Sequence, residues 1–408
     1  MLASPIRNKR SEQRIAPVLW IITLIATLTL YWIYDGYGRF LAMVCWLTGK
    51  ETIVRSATPK VQTADCITTW PTVTVLLTVH NESAIIRRRI DNILACDYPP
   101  DRLQVLIASD GSTDATNSIV AAMSDARVCL YESPGLGKTG TQNAAIRSIQ
   151  SDIIVFTDAD ILFEPAWLKG VALRFCDSAV GAVDGRAIYR GCSSDAIQVN
   201  QGYYWNYELK LRWLESQLGI LAVVAGACFA VRRNLFITMD PAIGEDCIVP
   251  LDIVSQGFRV VHEPQATAYF EAEEDSSITL RRRIRMTLRN WQGTWTRASL
   301  LNPVLHPGYA FALWSHKLLR WLSPVFLAIA TCSSLGQFIL EPGVVSCLVF
   351  APFGLMFALA AIGWRLTASE TRIPGAGTAY SFVLANTAFL IGIWRAMTGH
   401  RIHSYRNA

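Results

Sequence analysis

The sequence predicts an α/β domain with a doubly wound sheet, inserted between helices that cross a membrane. Hydrophobic residues make up 51% of the 408-residue chain, a large share for a protein without membrane segments. Between the most apolar stretches lie about 200 residues, enough for one globular domain. In that region runs of β-branched residues alternate with helical stretches, the order that builds a parallel sheet with helices on both faces.

Four stretches without charged side chains are long enough to cross a bilayer, since about 20 helical residues span its hydrocarbon core of about 30 Å. They cover residues 15–34, 321–340, 344–364 and 373–394. Basic residues before the first stretch resemble the start of a signal peptide, but the apolar run is too long and lacks a clean cleavage site. We therefore predict a retained N-terminal helix and three C-terminal spans.

The charges and cysteines give conflicting indications of orientation. Ten cysteines without CxxC or zinc spacing indicate reduced thiols, and hence a cytosolic central domain. With one helix before that domain, the basic N-terminus would lie outside, against the positive-inside rule. Either the chain ends are exceptions, or a segment such as Tyr37–Leu47, predicted as a short interfacial piece, also enters the membrane. The net charge of +5 and basic residues near the spans indicate lipid headgroups, not nucleic acid, as partners.

Four apolar runs predict the first strands of the sheet, and polar or glycine-rich residues follow each run. The strands are expected at residues 72–79, 103–109, 128–132 and 153–157, with helices at 83–95 and 138–150. The second half is less regular, with a strand expected at 180–187 and helices at 195–218 and 245–255. In a sheet of this type, ligands bind where the strands end.

The fourth run ends at two carboxylates one residue apart, Asp158 and Asp160. Such neighbours are costly unless a cation lies between them, and a divalent metal that holds phosphate oxygens is the usual solution. Two other strand ends carry Asp110, Asp114 and Lys138. Acids with one lysine suit a metal-bound diphosphate better than a bare anion, although an acidic surface loop and a solvated lysine are the alternatives.

Two further groups of candidate functional residues lie in the second half of the chain. Glu245 and Asp246 begin a helix, where one could act as a general base, although acids also occur there because of the helix dipole. Residues 280–295 place apolar and aromatic side chains on one helical face and arginines on most of the rest. This pattern is typical of an interfacial helix. A soluble amphipathic helix is the alternative. Some of the arginines could reach a diphosphate, which is compatible with an interfacial position.

In this order and spacing, the motifs resemble those of membrane-integrated family 2 glycosyltransferases, the group with cellulose, hyaluronan, poly-N-acetylglucosamine and chitin-oligosaccharide synthases. The resemblance covers nearly the whole chain and implies a GT-A-like doubly wound mixed sheet. The matching motifs are Val-His-Asn-Glu82, Ser-Asp110-Gly-Ser-Thr-Asp114, Gly-Lys138-x-x-x-x-Asn143, Thr-Asp158-Ala-Asp160, Gly226-Ala-x-x-Ala-x-Arg-Arg, Gly-Glu245-Asp246 and Ser-His-Lys-x-x-Arg-Trp.

The resemblance also implies roles for individual residues. Asp158 would face a nucleotide sugar, Asp160 would bind Mg²⁺ or Mn²⁺, and Asp246, beside Glu245, would be the catalytic base. The other expected nucleotide-sugar contacts are Glu82, Asp110, which would meet the base or ribose, Asp114, Lys138 and Asn143. The acceptor would meet Gly226, Ala227 and Cys228. Processive relatives carry Gln-x-x-Arg-Trp; here the glutamine is absent and an extra residue separates Arg289 from Trp291, the pair expected to gate the diphosphate or acceptor.

The resemblance implies an inverting, metal-dependent transfer from a nucleoside diphosphate sugar, most often a uridine one, to a growing β-linked saccharide. Single transfer to a lipid carrier is the main alternative, and a non-catalytic membrane scaffold is a minor one. We expect a bacterial inner-membrane protein with a cytosolic catalytic domain. An accessory export subunit is a further candidate partner. The expected boundaries are an N-terminal membrane segment (1–50), the transferase domain (71–275), interfacial helices (276–320) and three spans (321–397).

Overall fold

The computed structural model describes residues 6–51, 69–190, 196–271, 276–366 and 373–402. Within these ranges the sheet has eight strands, in the spatial order β3-β2-β1-β4-β7-β6-β8-β5. The strands are β1 (Val73–Val79), β2 (Leu103–Asp110), β3 (Val128–Ser133), β4 (Ile153–Thr157), β5 (Ile161–Phe163), β6 (Val180–Arg190), β7 (Cys228–Arg232) and β8 (Arg259–Glu271).

The helices cover both faces of this sheet and extend the chain at its two ends. They are α1 (Ile6–Tyr31), α2 (Tyr37–Leu47), α3 (Ile86–Leu94), α4 (Thr116–Ala121), α5 (Lys138–Ile146), α6 (Trp167–Arg174), α7 (Ala196–Leu218), α8 (Glu245–Ser255), α9 (Ser276–Thr296), α10 (Pro307–Ala312), α11 (Leu319–Trp321), α12 (Ser323–Leu340), α13 (Val344–Arg365) and α14 (Ala376–Met397).

The first half of the sheet is parallel, because β1 pairs in parallel with both β2 and β4, and β2 pairs in parallel with β3. Alternate residues of β1 face opposite layers: Val75 and Leu77 pack in the core that contains Ile90 of α3, and Leu76 packs in the core that contains Ile146 of α5. Burial on both faces explains the continuous apolar run of this strand. The predicted doubly wound arrangement is confirmed, and polar residues follow these strands at one edge.

The second half makes the sheet mixed, as the resemblance implied. Strand β7 runs antiparallel between β4 and β6, while β6 and β8 are parallel. Strands β5, β7 and β8 are not predicted by the sequence pattern. The pairing of Thr157 with Cys228 has a direct consequence for the site. It brings the turn after β4 beside the segment before β7, because antiparallel neighbours place opposite ends together.

Four helical segments in the described ranges are long and apolar enough to cross a membrane, as predicted: Ile15–Leu47, Ser323–Leu340, Val344–Arg365 and Ala376–Met397. The first has 33 residues, because α1 continues through a π-helical turn at Trp32–Gly36 into α2. Tyr37–Leu47 is therefore a continuation of the first span and not a separate piece. One face of α2, including Tyr37 and Leu41, packs on Leu211 and Leu214 of α7, which joins the span to the domain.

Helix α9 contains the stretch expected to lie in the membrane interface. Ile284 and Leu288, on its apolar face, are buried. Gly392 of α14 approaches so closely that an added Cβ would lie 2.7 Å from the Cβ of Thr287. This part of the apolar face therefore packs against protein, whereas Trp295 remains 46% exposed.

Candidate active site

Lys138 joins the two halves of the candidate site. Its Nζ atom lies 2.6 Å from Asp158 Oδ1 and 2.6 Å from Glu245 Oε1, and only 12% of its side chain is exposed. The lysine begins α5 after β3, Asp158 follows β4, and Glu245 begins α8. One ammonium group thus brings together acids that are far apart in sequence, and it leaves the pair of carboxylates with a net negative charge.

An acidic cluster surrounds the end of β4. Burial, followed by the negative charges of Asp160, Asp114 and Asp158, raises the pKa of Glu82. Burial and then the charge of Asp158 raise the pKa of Asp160. Burial and neighbouring negative charge thus act together on these two carboxyl groups, and the charges of Arg282 of α9 and of Lys138 partly compensate at Asp160. Oxygen ligands with excess negative charge are the donors that Mg²⁺ and Mn²⁺ prefer.

This cluster fits a metal held partly by a ligand and not by protein alone. Among the residues that the structure describes, no group of three or more His, Cys, Asp and Glu side chains is placed to hold a metal ion. Mg²⁺ is commonly bound through one or two carboxylates together with phosphate oxygens. The arrangement of Asp158 and Asp160 is compatible with that mode, and the role of Asp160 as a metal ligand stays a prediction.

Asp110 and Asp114 shape the loops that frame the site. Asp110 is buried, and its Oδ1 accepts hydrogen bonds from Gly137 N at 3.0 Å and from the Thr141 hydroxyl at 2.8 Å. This fixes the glycine turn that presents Lys138. Asp114 accepts hydrogen bonds from the Thr116 side chain and from Ser83 N, and these bonds hold its pKa well below the usual range. Contact of either residue with a nucleotide remains a prediction.

Asn143, which the resemblance assigns to the nucleotide sugar, makes contacts within the protein. Its Nδ2 donates to the Met239 carbonyl at 2.8 Å, and its Oδ1 accepts from Met239 N at 3.0 Å. Both ends of the amide therefore tie α5 to the chain before α8. Each end of the amide keeps one further hydrogen-bonding position, so contact of Asn143 with a nucleotide stays a prediction. The motif spacing could not reveal the bonds to Met239, because the partner lies 96 residues away.

Asp246 lies between two glycines that leave room for its side chain. A Cβ added to Gly226 would lie 3.0 Å from Asp246 Cβ, and one added to Gly244 would lie 2.5 Å from Asp246 Oδ1. Burial and the adjacent Glu245 charge raise the pKa of Asp246, whereas Lys138 and Arg289 hold the pKa of buried Glu245 below its usual value. Neighbouring carboxyl groups whose pKa values are driven apart are typical of acid–base sites.

One residue of the predicted acceptor segment lies directly beside Asp246. Gly226 faces Asp246 directly, and the Ala227 carbonyl accepts a hydrogen bond from the Thr157 hydroxyl at 2.8 Å. Cys228 begins β7 and is 0% exposed. Its side chain therefore lies inside the sheet, and contact of this residue with an acceptor stays a prediction.

Arg289 and Trp291, the pair expected to gate the diphosphate or acceptor, also make contacts within the protein. The Arg289 guanidinium donates to the carbonyls of Ala242 and Ile243 and to the Thr139 hydroxyl, at 2.7 to 3.2 Å. It therefore supports the loop that leads to Asp246, and its contact with a diphosphate or acceptor stays a prediction. Trp291 packs with its ring centroid 6.1 Å from that of Trp321, and so helps to anchor α9.

Arg89 is an important residue that was not predicted from the sequence. It is fully buried, donates to the Thr157 hydroxyl at 2.8 Å and to the Asp158 carbonyl at 3.3 Å, and lies 4.2 Å from the Phe163 ring centre. Burial lowers its pKa to about 9. A signal was present in the sequence: Arg89 occupies an apolar-face position of α3, between Ile86 and Ile90, where an arginine needs a buried partner.

We expect Gly244→Ala to reduce activity strongly with little loss of stability. The backbone of Gly244 is extended (φ −76°), so alanine fits there, and the new methyl group would displace the Asp246 carboxylate. Turnover and thermal unfolding measured together would check this. Gly170→Ala is the control, because a Cβ there meets its nearest atom at 3.8 Å; it should leave turnover unchanged. Normal activity in Gly244→Ala would show that the position of Asp246 is unimportant.

The mixed sheet with its flanking helices has the architecture of GT-A glycosyltransferases. A solved mannosyltransferase from Pyrobaculum calidifontis, described in complex with GDP-Man and Mn²⁺, shares the fold with a TM-score of 0.65 and 21% identity; the match covers 95% of this chain and 99% of that one. The family model for glycosyl transferase family 2 matches residues 74–239. Residues 74–239 thus carry a glycosyl transferase family 2 domain.

The chain is also similar to two curated bacterial proteins. An N-acetylglucosaminyltransferase of Mesorhizobium japonicum is 25% identical over 69% of this chain and 70% of the relative. A poly-beta-1,6-N-acetyl-D-glucosamine synthase of Staphylococcus aureus is 22% identical over 52% of this chain and 53% of the relative. The chain thus spans between about half and 70% of the length of these relatives.

Proposed function

We propose that the protein is an inverting, metal-dependent transferase that moves N-acetylglucosamine from a uridine diphosphate sugar to a growing β-linked saccharide at the membrane. The observation that carries this proposal is the contact of Lys138 with both Asp158 and Glu245. Through it, acids suited to a nucleotide sugar lie beside Asp246, the residue suited to activate an acceptor. The names of the two curated relatives support the sugar and the polymeric product.

The proposed reaction is a single displacement. The acceptor hydroxyl oxygen attacks the anomeric carbon, the bond from that carbon to the diphosphate breaks, and the hydroxyl proton passes to the Asp246 carboxylate. One displacement inverts the anomeric configuration. Gly226 and Gly244 leave the space that the carboxylate needs, and the raised pKa of Asp246 makes it a stronger base than an ordinary aspartate.

Asp160, with Asp158 beside it, would hold Mg²⁺ or Mn²⁺ at the diphosphate. The metal would supply Lewis-acid stabilisation of the leaving group. Lys138 would contribute a further positive charge near the diphosphate, and Asp158 and Glu245 fix its ammonium group in place. The excess negative charge of the acidic cluster in the absence of a cation supports this assignment.

The setting we propose is a bacterial inner membrane with the domain in the cytosol. The four apolar segments support membrane insertion. Eight cysteines in the described part of the chain are free thiols, which supports a reducing compartment. Membrane lipids would then contact the spans, and the domain would meet its nucleotide sugar where such donors are made. An accessory export subunit stays a prediction.

Single transfer to a lipid carrier is the second candidate. It is favoured by the absence of Gln-x-x-Arg-Trp and by the contacts of Arg289, which are made to the loop before Asp246. A degenerate, non-catalytic scaffold is disfavoured, because the acids that catalysis would require are present and converge. The size of the product distinguishes the first two candidates.

We expect the purified full chain, in lipid discs with Mn²⁺, to transfer labelled sugar from UDP-N-acetylglucosamine and to form a ladder or high polymer. A panel of other UDP- and GDP-sugars would be run in parallel, and the products would be sized and treated with glycosidases of known linkage. One lipid-linked sugar would move the conclusion to the second candidate. Binding of no nucleotide and transfer from no donor by folded protein would contradict the proposed function.

A further inference from the structure

One face of α7 carries three buried charges, none of which the mechanism uses. Glu208, Arg212 and Glu215 recur at helical spacing on this face and are 2%, 4% and 1% exposed. A buried charge costs several kcal/mol unless it is paired and hydrogen-bonded. The partners of these residues therefore show what the face connects.

Towards the membrane, the face binds the chain on both sides of the domain. Glu208 lies within 3.0 Å of His316 Nε2 and 2.7 Å of Arg320 Nη1, where the chain approaches α12. Glu215 accepts from the Tyr37 hydroxyl at 2.8 Å and lies 2.8 Å from His316 Nδ1. A neutral imidazole could donate only one of these two bonds. The network thus attaches α7 to the first span and to the approach to the second.

Towards the active site, the face reaches Asp184 of β6. Arg212 Nη1 lies 3.6 Å from Asp184 Oδ2, which also lies 2.7 Å from His262 Nδ1. Asp184 Oδ1 accepts a hydrogen bond from Ala225 N at 2.6 Å. Asp184 is 0% exposed, so this carboxylate is a fixed connection between the α7 network and the residue that precedes Gly226.

The turn from Ala225 to Ala227 is held at both ends. Asp184 holds the Ala225 amide, and the Thr157 hydroxyl donates to the Ala227 carbonyl. Thr157 itself accepts from the buried Arg89 guanidinium. Between these two attachments, Gly226 faces Asp246. The position of the turn relative to the catalytic base is thus set by two buried charged residues on opposite sides.

We propose that Asp184 is a positioning residue for the acceptor: it fixes the Ala225–Ala227 turn against Asp246 and couples that turn to the membrane-anchored α7 network. This inference rests on the proposed function, since it assigns the turn to the acceptor side of that reaction. The donor is held by other elements, at the ends of β2, β3 and β4. Loss of the Asp184 contact should therefore weaken the use of acceptor and leave the use of donor intact.

The test is Asp184→Ala in the full chain, assayed with UDP-N-acetylglucosamine and an oligosaccharide of β-linked N-acetylglucosamine. We expect the acceptor KM to rise about tenfold, as for the loss of a charged hydrogen bond, while the donor KM and the hydrolysis of donor by water change less than about twofold. Asp184→Asn, which keeps an oxygen for the Ala225 amide, should restore most of the acceptor KM. A merely structural role would not produce that rescue.

Glu263→Gln is the matched control. Glu263 is 2% exposed, pairs with Arg174 and follows His262 directly, so its loss should reduce stability without changing the acceptor KM. If Asp184→Ala does not fold, Asp184→Leu is measured instead, because leucine fills the buried space and cannot accept the hydrogen bond from the Ala225 amide; its acceptor KM should rise likewise. An unchanged acceptor KM in an active variant overturns the positioning role alone. A wild-type protein that neither hydrolyses nor transfers donor overturns the proposed function, and the positioning role with it.

Discussion

Asp246→Asn is expected to lower the transfer rate by about a thousandfold, within the range for loss of a general base. Asparagine preserves the size of the side chain between Gly226 and Gly244 but cannot take a proton at neutral pH. The donor KM should change little, because the residue acts on the acceptor. Single-turnover transfer from UDP-N-acetylglucosamine, with thermal unfolding as a check on the fold, would measure the effect.

Asp252→Asn provides a control on the same helix. Asp252 is buried in α8 and pairs with Arg297 at 2.5 Å, so the substitution also removes a buried carboxylate. The Asp252→Asn variant is expected to have lower stability and a near-normal transfer rate per folded molecule. If Asp246→Asn retained a normal rate, or if Asp252→Asn lost as much activity per folded molecule, Asp246 would not be the base.

The pH dependence of the transfer rate is a second test of Asp246 as the general base. The base works in its ionised form, and burial together with the Glu245 charge raises the pKa of Asp246. The rate should therefore be full above that raised pKa and fall as the pH decreases through it. Glu245, whose pKa is lowered by Lys138 and Arg289, should stay ionised over this interval. A rate profile without an acidic limb would contradict the assignment.

The ends of the first strands were predictable from sequence for a physical reason. The runs before Asp110 and Asp158 are short, β-branched and bounded by turn residues, so strand type and end could be read locally. Parallel strands place their carboxyl ends at one edge, so convergence of these acids with Lys138 also followed. The structure adds that Lys138 contacts Glu245, which comes from an element 107 residues later in the chain.

The remaining features depend on distant partners that no local pattern encodes. Asn143 and Arg289 lie in plausible motif positions, but both bonds of Asn143 and two of the three bonds of Arg289 go to backbone atoms of the chain before α8. Strand β7 is short, and its pairing with β4 becomes evident only in the folded sheet. The charges of α7 at Glu208 and Glu215 read as an ordinary polar helix face. Their burial results from packing against α2 and the chain before α12.

Asp160→Asn is expected to weaken Mn²⁺-dependent UDP binding by about 100-fold, since loss of a metal contact removes a few kcal/mol. The acidic cluster predicts a second effect with the opposite sign. Without metal, the charge of Asp160 raises the pKa of Glu82, so these groups repel. Removing one carboxylate should leave the thermal stability of the metal-free protein at neutral pH unchanged or higher. Calorimetry of UDP with and without Mn²⁺, and unfolding in chelator, measure the two effects.

The two effects together separate a metal ligand from a structural acid. A structural acid would lose stability on substitution and would bind UDP alike with and without Mn²⁺. Asp101→Asn is the control, because Asp101 has a side chain that is 77% exposed and lies at the opposite end of β2 from the cluster; it should alter neither quantity. Mn²⁺-dependent UDP binding of normal strength in Asp160→Asn would remove Asp160 from the metal site and leave Asp158 as the acid to test, because that carboxylate already contacts Lys138 beside the same cluster.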